Sequence, residues 1–567
     1  MQTLISILET KLRAALNGIA QIEPQVTIAT DARFGDYQTN VAMVLAKQQR
    51  ANPRQLATQI IERLDVDDIC ENPEIAGAGF INLRIKNDFL KKRVADIFSD
   101  EMLGVPSAGR RKKIVLDFSG PNIAKPMHVG HIRSTIIGDT LARVARFLGH
   151  EVVTDNHLGD WGTQFGKVIY GWKNWRDEQA LATHPVEELV RLYKKANALA
   201  EADEMVLRAC RDELVKLQSG DPENVAIWRK CVELSWKEFE QMYSLLDVRF
   251  DEHLGESAYN DRLATLVAKL EKSGIAEESE GALCVFFRDN PVLADKPALI
   301  RKSDGGFLYA TTDLATLEYR MERWQPDEIW YVVGAPQALH FDQVFGVAQK
   351  MGIDAKLRFI PFGSILGEDR KLMKTRSGDN VQLRDLLEEA QQRALAMVEQ
   401  KNPAMPDEEK KQIAQIIGIG AVKYADLSQA RMTDYVFSWD KMLSLQGNTA
   451  PYLQNAYVRI RSIFRKLDGD WKAPAEFVLA DPAELSLAKK LMQFGETVPQ
   501  VLDDFRPNIL ANYLYELANT FHTFYEACPV LKADEPVRSS RLALCDLTAR
   551  ILGLGLALLG IRVPEKM

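Results

Sequence analysis

Cysteine is scarce in this chain: six residues in 567, at positions 70, 210, 231, 284, 528 and 545, with no CxxC spacing among them. That excludes a cysteine zinc module and a secreted disulfide framework, and the thiols are expected as buried apolar side chains in a reducing cytosol. No zinc and no other protein-held metal is expected. Long apolar runs are missing too. The longest, residues 551–561, is about half the ~20 residues needed to span a bilayer and contains three glycines, so no membrane role is expected. The first twenty residues mix Leu and Ile with Glu9, Lys11 and Arg13 at helical spacing, which fits an amphipathic helix better than a signal peptide and suggests a cytoplasmic protein. There is no repeat at solenoid periods and no low-complexity tail. Nor is there a basic excess, the net charge being −8. Whole-chain charge governs solubility, however, and nucleic-acid binding depends on local patches.

What is present reads as several soluble domains. Hydrophobic residues make up 46% and charged residues 26%, ordinary for a globular protein, and 567 residues exceed what one core can organise. Residues 1–107 mix helical patterns with an alternating stretch at 79–85. A basic linker, residues 109–113, leads to the apolar run Ile114 Val115 Leu116 Asp117 Phe118. Beyond it, strand candidates at 152–154 and 329–333 alternate with helices, the signature of a doubly wound parallel sheet, interrupted by a charged helical insertion at about 170–290. Pro403 and Pro406 mark a linker, and residues 401–567 read as a helical bundle. The fold class expected is multidomain α/β. A Rossmann-type domain (108–400) carries the insertion, with a small N-terminal α/β domain before it and a C-terminal helical bundle after it.

Residues 117–131 are the most informative. They read as strand, Gly-Pro turn and helix start, with His128 and His131 at the junction, where free backbone N–H groups and the helix dipole favour anions. Gly130 lacks a Cβ, so a nucleotide can approach the backbone closely. Helical spacing of Ile132, Ile136, Ile137, Leu141, Val144 and Leu148 follows, with Gly149 as a stop.

His128-Val-Gly-His131 resembles the HIGH signature of class I aminoacyl-tRNA synthetases, and residues 119–139 are similar to the arginyl-tRNA synthetase version. Matches at 34–38, 79–82, 156–166, 309–315 and 452–454 extend the resemblance over the whole length. It implies activation of L-arginine with Mg-ATP to arginyl-adenylate and pyrophosphate, then transfer to the 3′ end of a tRNA for arginine. A monomer is expected. Adenylate formation leaves little covalent work to the protein, so positioning and stabilisation of phosphate charge should dominate.

The resemblance assigns His128, Gly130 and His131 to the ATP phosphates, with His340 at the adenosine. The family's KMSKS loop maps to Met373, Lys374, Thr375 and Arg376, where Thr375 replaces the usual second lysine. Many members of the family that lack this lysine carry one before HIGH, and here Lys125 stands there, held extended by Pro126. Lys374 and Arg376 are the alternative cations. Tyr309 and Asp313, four apart, share one helical face and resemble the pair that binds the substrate guanidinium. Asp117, Ser119, Asn122, His157 and Gln337 match the same pocket. A planar guanidinium pairs bidentately with a carboxylate, whereas an ammonium cannot reproduce that geometry. Toward tRNA, Tyr452, Tyr457, Arg459 and Arg461 form a basic, aromatic-interleaved segment able to meet phosphates and stack bases. Phe80 and Asn82 match a strand that in the family contacts the tRNA D-loop. The rival readings are a class I lysyl enzyme, a small-molecule nucleotidylyltransferase and a catalytically silent RNA-binding paralogue. The nucleotidylyltransferase would not need the helical C-terminal region, and retention of His128, His131 and Lys125 weighs against the silent paralogue.

Overall fold

The computed structural model describes residues 1–373, 381–467 and 471–567. At its centre lies a four-stranded, wholly parallel sheet in the spatial order Lys356–Phe362, Glu328–Gly334, Lys113–Phe118, Glu151–Asp155. The strands are apolar along most of their length because helices cover both faces, as parallel sheets require. Sequence order reverses between Lys113–Phe118 and Glu328–Gly334. Open sheets of this kind bind ligands at such a reversal, beyond the carboxyl ends of the strands. The helix Val129–Phe147 crosses directly over the first strand. A Cβ on Gly138 would stand 2.2 Å from the Phe118 ring, so glycine permits this close packing.

The N-terminal region pairs an antiparallel sheet, in the order Val26–Ile28, Tyr37–Thr39, Phe80–Leu83, Glu74–Ala76, with helices that include Leu4–Ala15. Leu4, Leu8 and Leu12 form the buried stripe of that first helix, as the spacing predicts. The region is anchored on the C-terminal helices: the Tyr37 hydroxyl and the Ile5 amide both donate to the Glu496 carboxylate.

The expected insertion is present as the helices Glu178–Thr183, Pro185–Ala202, Glu204–Gln218, Pro222–Leu245 and Asn260–Lys272. Its end differs from the expectation. Glu277–Ser279, Ala282–Val285 and Ala298–Arg301 form a small antiparallel sheet around a turn at Gly281, where φ is +77°. Strands of three or four residues are too short for alternation to stand out from a charged background.

The linker at 402–406 joins Leu383–Lys401 to Asp407–Leu427, which pack against each other. Pro482 and Pro507 begin helices at the first-turn position where a missing N–H costs nothing. A short strand, Tyr435–Val436, returns to pair in parallel with Ile365–Leu366. Among the described residues all six cysteines are free and buried, and no helix is long and apolar enough to cross a membrane.

Candidate active site

At the sheet reversal lies a cavity of about 450 Å³, lined by the strand ends Asp117–Phe118 and Val332–Gly334, by the start of the helix Val129–Phe147, and by His157, Asp313 and Gln337. A smaller cavity of about 260 Å³ adjoins it. The two share His128, Gly130, Gly334, Pro336 and Phe362, and the smaller one continues to Arg133, Gly363 and Met373.

His128 is the N-cap of the helix. Its Nδ1 accepts from the Gly130 amide at 3.0 Å, and Nδ1 of His131 accepts from the His128 amide at 3.0 Å. Both Nδ1 atoms being acceptors, each neutral ring carries its proton on Nε2. The rings lie 3.9 Å apart. Burial holds His131 down to about 3, with His128 adding to the effect, and burial together with the Lys125 charge lowers His128. The pair is thus two neutral N–H donors at the positive end of a helix dipole. A Cβ on Gly130 would lie 2.8 Å from the His128 ring, so glycine is what allows that ring to fold onto the first turn.

The acidic side is divided between two partners. Asp117 is buried and spends its charge internally, accepting at 2.6 Å from Arg320, which also pairs with Asp155 at 2.8 Å. Burial raises Asp117, and Arg320 opposes that rise. Asp313, on the helix Tyr309–Trp324, meets His340 Nε2 at 2.5 Å. His340, expected at adenosine, is therefore tied to the residue expected at the guanidinium. Tyr309 opens that helix and is 66% exposed.

Glu256 went unnoticed in the sequence. It is pushed up to about 8 by burial first, then by the charges of Asp313 and Asp160. Nothing in its sequence surroundings marked it, because burial and two acids 57 residues ahead and 96 residues behind in the chain raise it. Asp160 is held against Gly255, whose Cβ would stand 2.3 Å from the carboxylate carbon, and accepts from Ser257 at 2.8 and 2.6 Å.

The remaining residues divide between pocket and scaffold. Ser119 lines the larger cavity at φ +74°, its hydroxyl joined to Tyr243 at 2.8 Å and to Thr135 at 2.9 Å. His157 also lines it. Its ring packs on Tyr259, and its Nδ1 is buried with no hydrogen-bond partner among the described residues. Gln337 lines the same cavity from a short 3-10 turn. Asn122 is exposed and bridges to Gly159, outside the cavity wall. Lys125 is exposed and lines a separate cavity of about 370 Å³ with Thr163, Gln164, Lys167, Tyr193 and Arg211. Met373 lines the smaller cavity, while Lys374, Thr375 and Arg376 lie outside the described residues.

Three family models match in succession: "Arginyl tRNA synthetase N terminal domain" over residues 2–85, "tRNA synthetases class I (R), catalytic domain" over 93–439, and "DALR anticodon binding domain" over 453–567. The chain belongs to the arginyl-tRNA synthetase family. Curated arginine–tRNA ligases from Nostoc sp. and Thermobifida fusca are 48% and 47% identical, each alignment covering 99% of this chain and 98% or 99% of the relative. Among solved structures, the arginyl-tRNA synthetase of Plasmodium falciparum superposes with a TM-score of 0.86 at 30% identity and full coverage of both chains. That of Thermus thermophilus superposes with a TM-score of 0.85 at 26% identity, again over both full chains.

The candidate tRNA residues divide in the same way. Tyr452 and Arg459 share a surface with the helix Pro507–Ala527: the Tyr452 hydroxyl donates to Asn519 at 2.6 Å, and the Arg459 guanidinium lies 5.6 Å from the Tyr525 ring. Arg461 is paired with Asp546 at 3.5 Å, and Tyr457 packs beside Gly553. Phe80 is half-buried. Asn82 is buried, its Oδ1 unpartnered among the described residues.

Proposed function

We propose that this ligase forms arginyl-adenylate in the cavity at the sheet reversal, from L-arginine and ATP, and then transfers the arginine to its tRNA. The observation that carries the proposal is the paired imidazoles, fixed as neutral Nε2–H donors on one rim, facing an acidic group on the other. Phosphate charge developing as the arginine carboxylate attacks the α-phosphorus is met by His128 and His131 and by the helix start. Neutral donors suit this role because they need not gain or lose a proton during the step.

On the opposite rim, Asp313 and Glu256 receive the guanidinium, with Tyr309 closing over it and Gln337, Ser119 and His157 around the rest of the amino acid. Asp117, its charge taken by Arg320, shapes the floor and holds Arg320 rather than meeting substrate directly. His340 then orients Asp313 and adjoins the adenosine side. Lys125 is assigned as the added phosphate cation, with Lys374 and Arg376 as alternatives. Lys125 lies close enough for its charge to lower His128. Mg2+ enters with ATP as part of the substrate. Among the described residues no group of three or more His, Cys, Asp or Glu side chains is arranged to hold an ion.

The domain reading follows the same course. Residues 1–107 form a D-loop-contacting unit through Phe80 and Asn82, and 108–400 the catalytic unit. Residues 401–567 form an anticodon-binding bundle with Tyr452, Tyr457, Arg459 and Arg461 toward tRNA, in a cytoplasmic monomer. The direct test is amino-acid-dependent ATP–pyrophosphate exchange across all amino acids, with and without tRNA. Arginine alone should support exchange, and only when tRNA is added. Exchange with lysine, or strong exchange without tRNA, would overturn the corresponding half of the reading.

A further inference from the structure

Arg133 stands two residues beyond His131 and is one of the largest wholly buried side chains in the molecule, 1% exposed. A buried guanidinium is costly unless its charge is met by a partner. Here its Nε lies 2.9 Å from the Asp426 carboxylate, itself buried in the last turn of the helix Asp407–Leu427. The terminal nitrogens donate to the carbonyls of Arg431 at 3.2 Å and Thr433 at 3.3 Å, and the guanidinium lies 5.8 Å from the Phe362 ring and 5.3 Å from the Tyr435 ring.

The Arg431 carbonyl has a second donor. The Gly363 amide reaches it at 2.9 Å, and Gly363 belongs to the opposite wall of the smaller cavity. One carbonyl thus joins the first turn of the His128–His131 helix to the end of the strand Lys356–Phe362. The segment 431–435 runs along that wall as a strap. The Ser364 amide donates to Asp434 at 2.5 Å, the Tyr435 amide donates to the Ser364 carbonyl at 3.2 Å, and Tyr435–Val436 pairs with Ile365–Leu366. Gly363 has no room for a side chain there. A Cβ would stand 2.7 Å from Asp434 Oδ1 and 2.9 Å from the Met432 carbonyl. The helix that carries Asp426 is bound in turn to the helix Ala450–Arg465, where Gln454 donates to the Ile416 carbonyl at 3.3 Å.

We propose that Arg133 is a positioning residue: with Asp426 and the 431–435 strap it sets the separation of the two walls of the nucleotide cavity and ties that separation to the helix Asp407–Leu427. The proposal rests on the reading of His128, Gly130 and His131 as the ATP-phosphate site. Arg133 touches no substrate in this scheme. It acts by holding the donors at the distance that the reacting phosphate needs, and a misplacement of about 1 Å at such a site costs on the order of 10²-fold in rate.

The test uses the full chain with tRNA, with exchange rates referred to titrated active sites. Arg133→Lys keeps the charge but loses the planar fork that spans Asp426 and two carbonyls. It should lower kcat per active site by about 10²-fold and alter the KM for ATP, with the KM for arginine unchanged. Asp426→Asn and Gly363→Ala should give the same kcat and ATP signature from the other two ends of the strap. Combining Arg133→Lys with Asp426→Asn should be no worse than the stronger single change, as for residues that act through one network. A purely structural role would instead reduce the number of active sites and the melting temperature while leaving kcat per active site intact, and that result overturns the proposal. Should Arg133→Lys fail to fold, the Asp426 and Gly363 variants decide by the same criteria. His131→Asn separates the two readings. If it loses exchange while all three strap variants keep theirs, the strap is wrong; if it too keeps full exchange, the phosphate site is wrong.

Discussion

His340 Nε2 and the Asp313 carboxylate meet at 2.5 Å, joining the helices Tyr309–Trp324 and Ala338–Lys350 beside the pocket. In the proposed assignment the substrate guanidinium shares an acid that already has a partner. Asp313→Ala removes the shared acceptor, and losing one partner of such a charge pair costs on the order of 2–5 kcal/mol. The KM for arginine should rise about 30-fold or more, with the KM for ATP little changed. Arginine titration of the exchange reaction checks this, and near wild-type arginine KM in the variant removes Asp313 from the pocket.

With Glu256 at the guanidinium, as proposed, arginine binding should be pH-dependent. Its carboxyl is raised to about 8 by burial, by Asp313 and by Asp160, so near pH 7 it is largely protonated in the free enzyme. A bound cation favours the charged form and expels the proton. Arginine affinity should accordingly strengthen as pH rises from 6 and level off above about 8. Glu256→Gln should flatten the profile. Calorimetry in buffers of different ionisation enthalpy should record proton release on binding in the wild type alone. An unaltered profile in Glu256→Gln assigns the dependence elsewhere.

The same displaced carboxyl has a stability consequence of defined sign. In the fold Glu256 binds its proton more tightly than an unfolded glutamate, so its contribution is complete below about 4.5 and is lost as pH rises toward 8. His131 runs the opposite way. Its folded value of about 3 lies below the ordinary 6.5, so its contribution is present above 6.5 and is lost as pH falls toward 3. Thermal unfolding followed between pH 7 and 4 should show His131→Asn to be less acid-sensitive than the wild type. Equal acid sensitivity would mean that the ring is already solvated.

Lys125 is exposed, yet its charge lowers His128. If it supplies phosphate charge stabilisation, Lys125→Ala should reduce kcat for exchange by roughly 10²–10³-fold, the scale for one transition-state donor. Arginine KM should hold, since the lost contact belongs to the transition state. Full activity in Lys125→Ala alongside its loss in Lys374→Ala or Arg376→Ala would transfer the role to the loop.

What the sequence determined by itself were the features carried by contiguous residues. The apolar run ending at Phe118, the Gly-Pro turn and the paired histidines of residues 117–131 specify strand, turn and helix start locally. Backbone N–H groups at a helix start have one orientation, so the helix N-terminus and its capping histidines were legible with them. That Tyr309 and Asp313 lie about one turn apart on a single helix was legible for the same reason. Tertiary structure alone decided which charges remain available. Asp117 is paired with Arg320, 203 residues away, Glu256 is pushed up by burial first and then by Asp313 and Asp160, which only folding brings near it, and Lys125 faces a different cavity from His128. Arg133 finds its partners far from its own stretch of sequence. Only the folded chain brings Asp426 and the Arg431 carbonyl to it, because burial and Coulomb energy depend on distance in space, and no periodicity in the chain encodes contacts 293 and 298 residues apart.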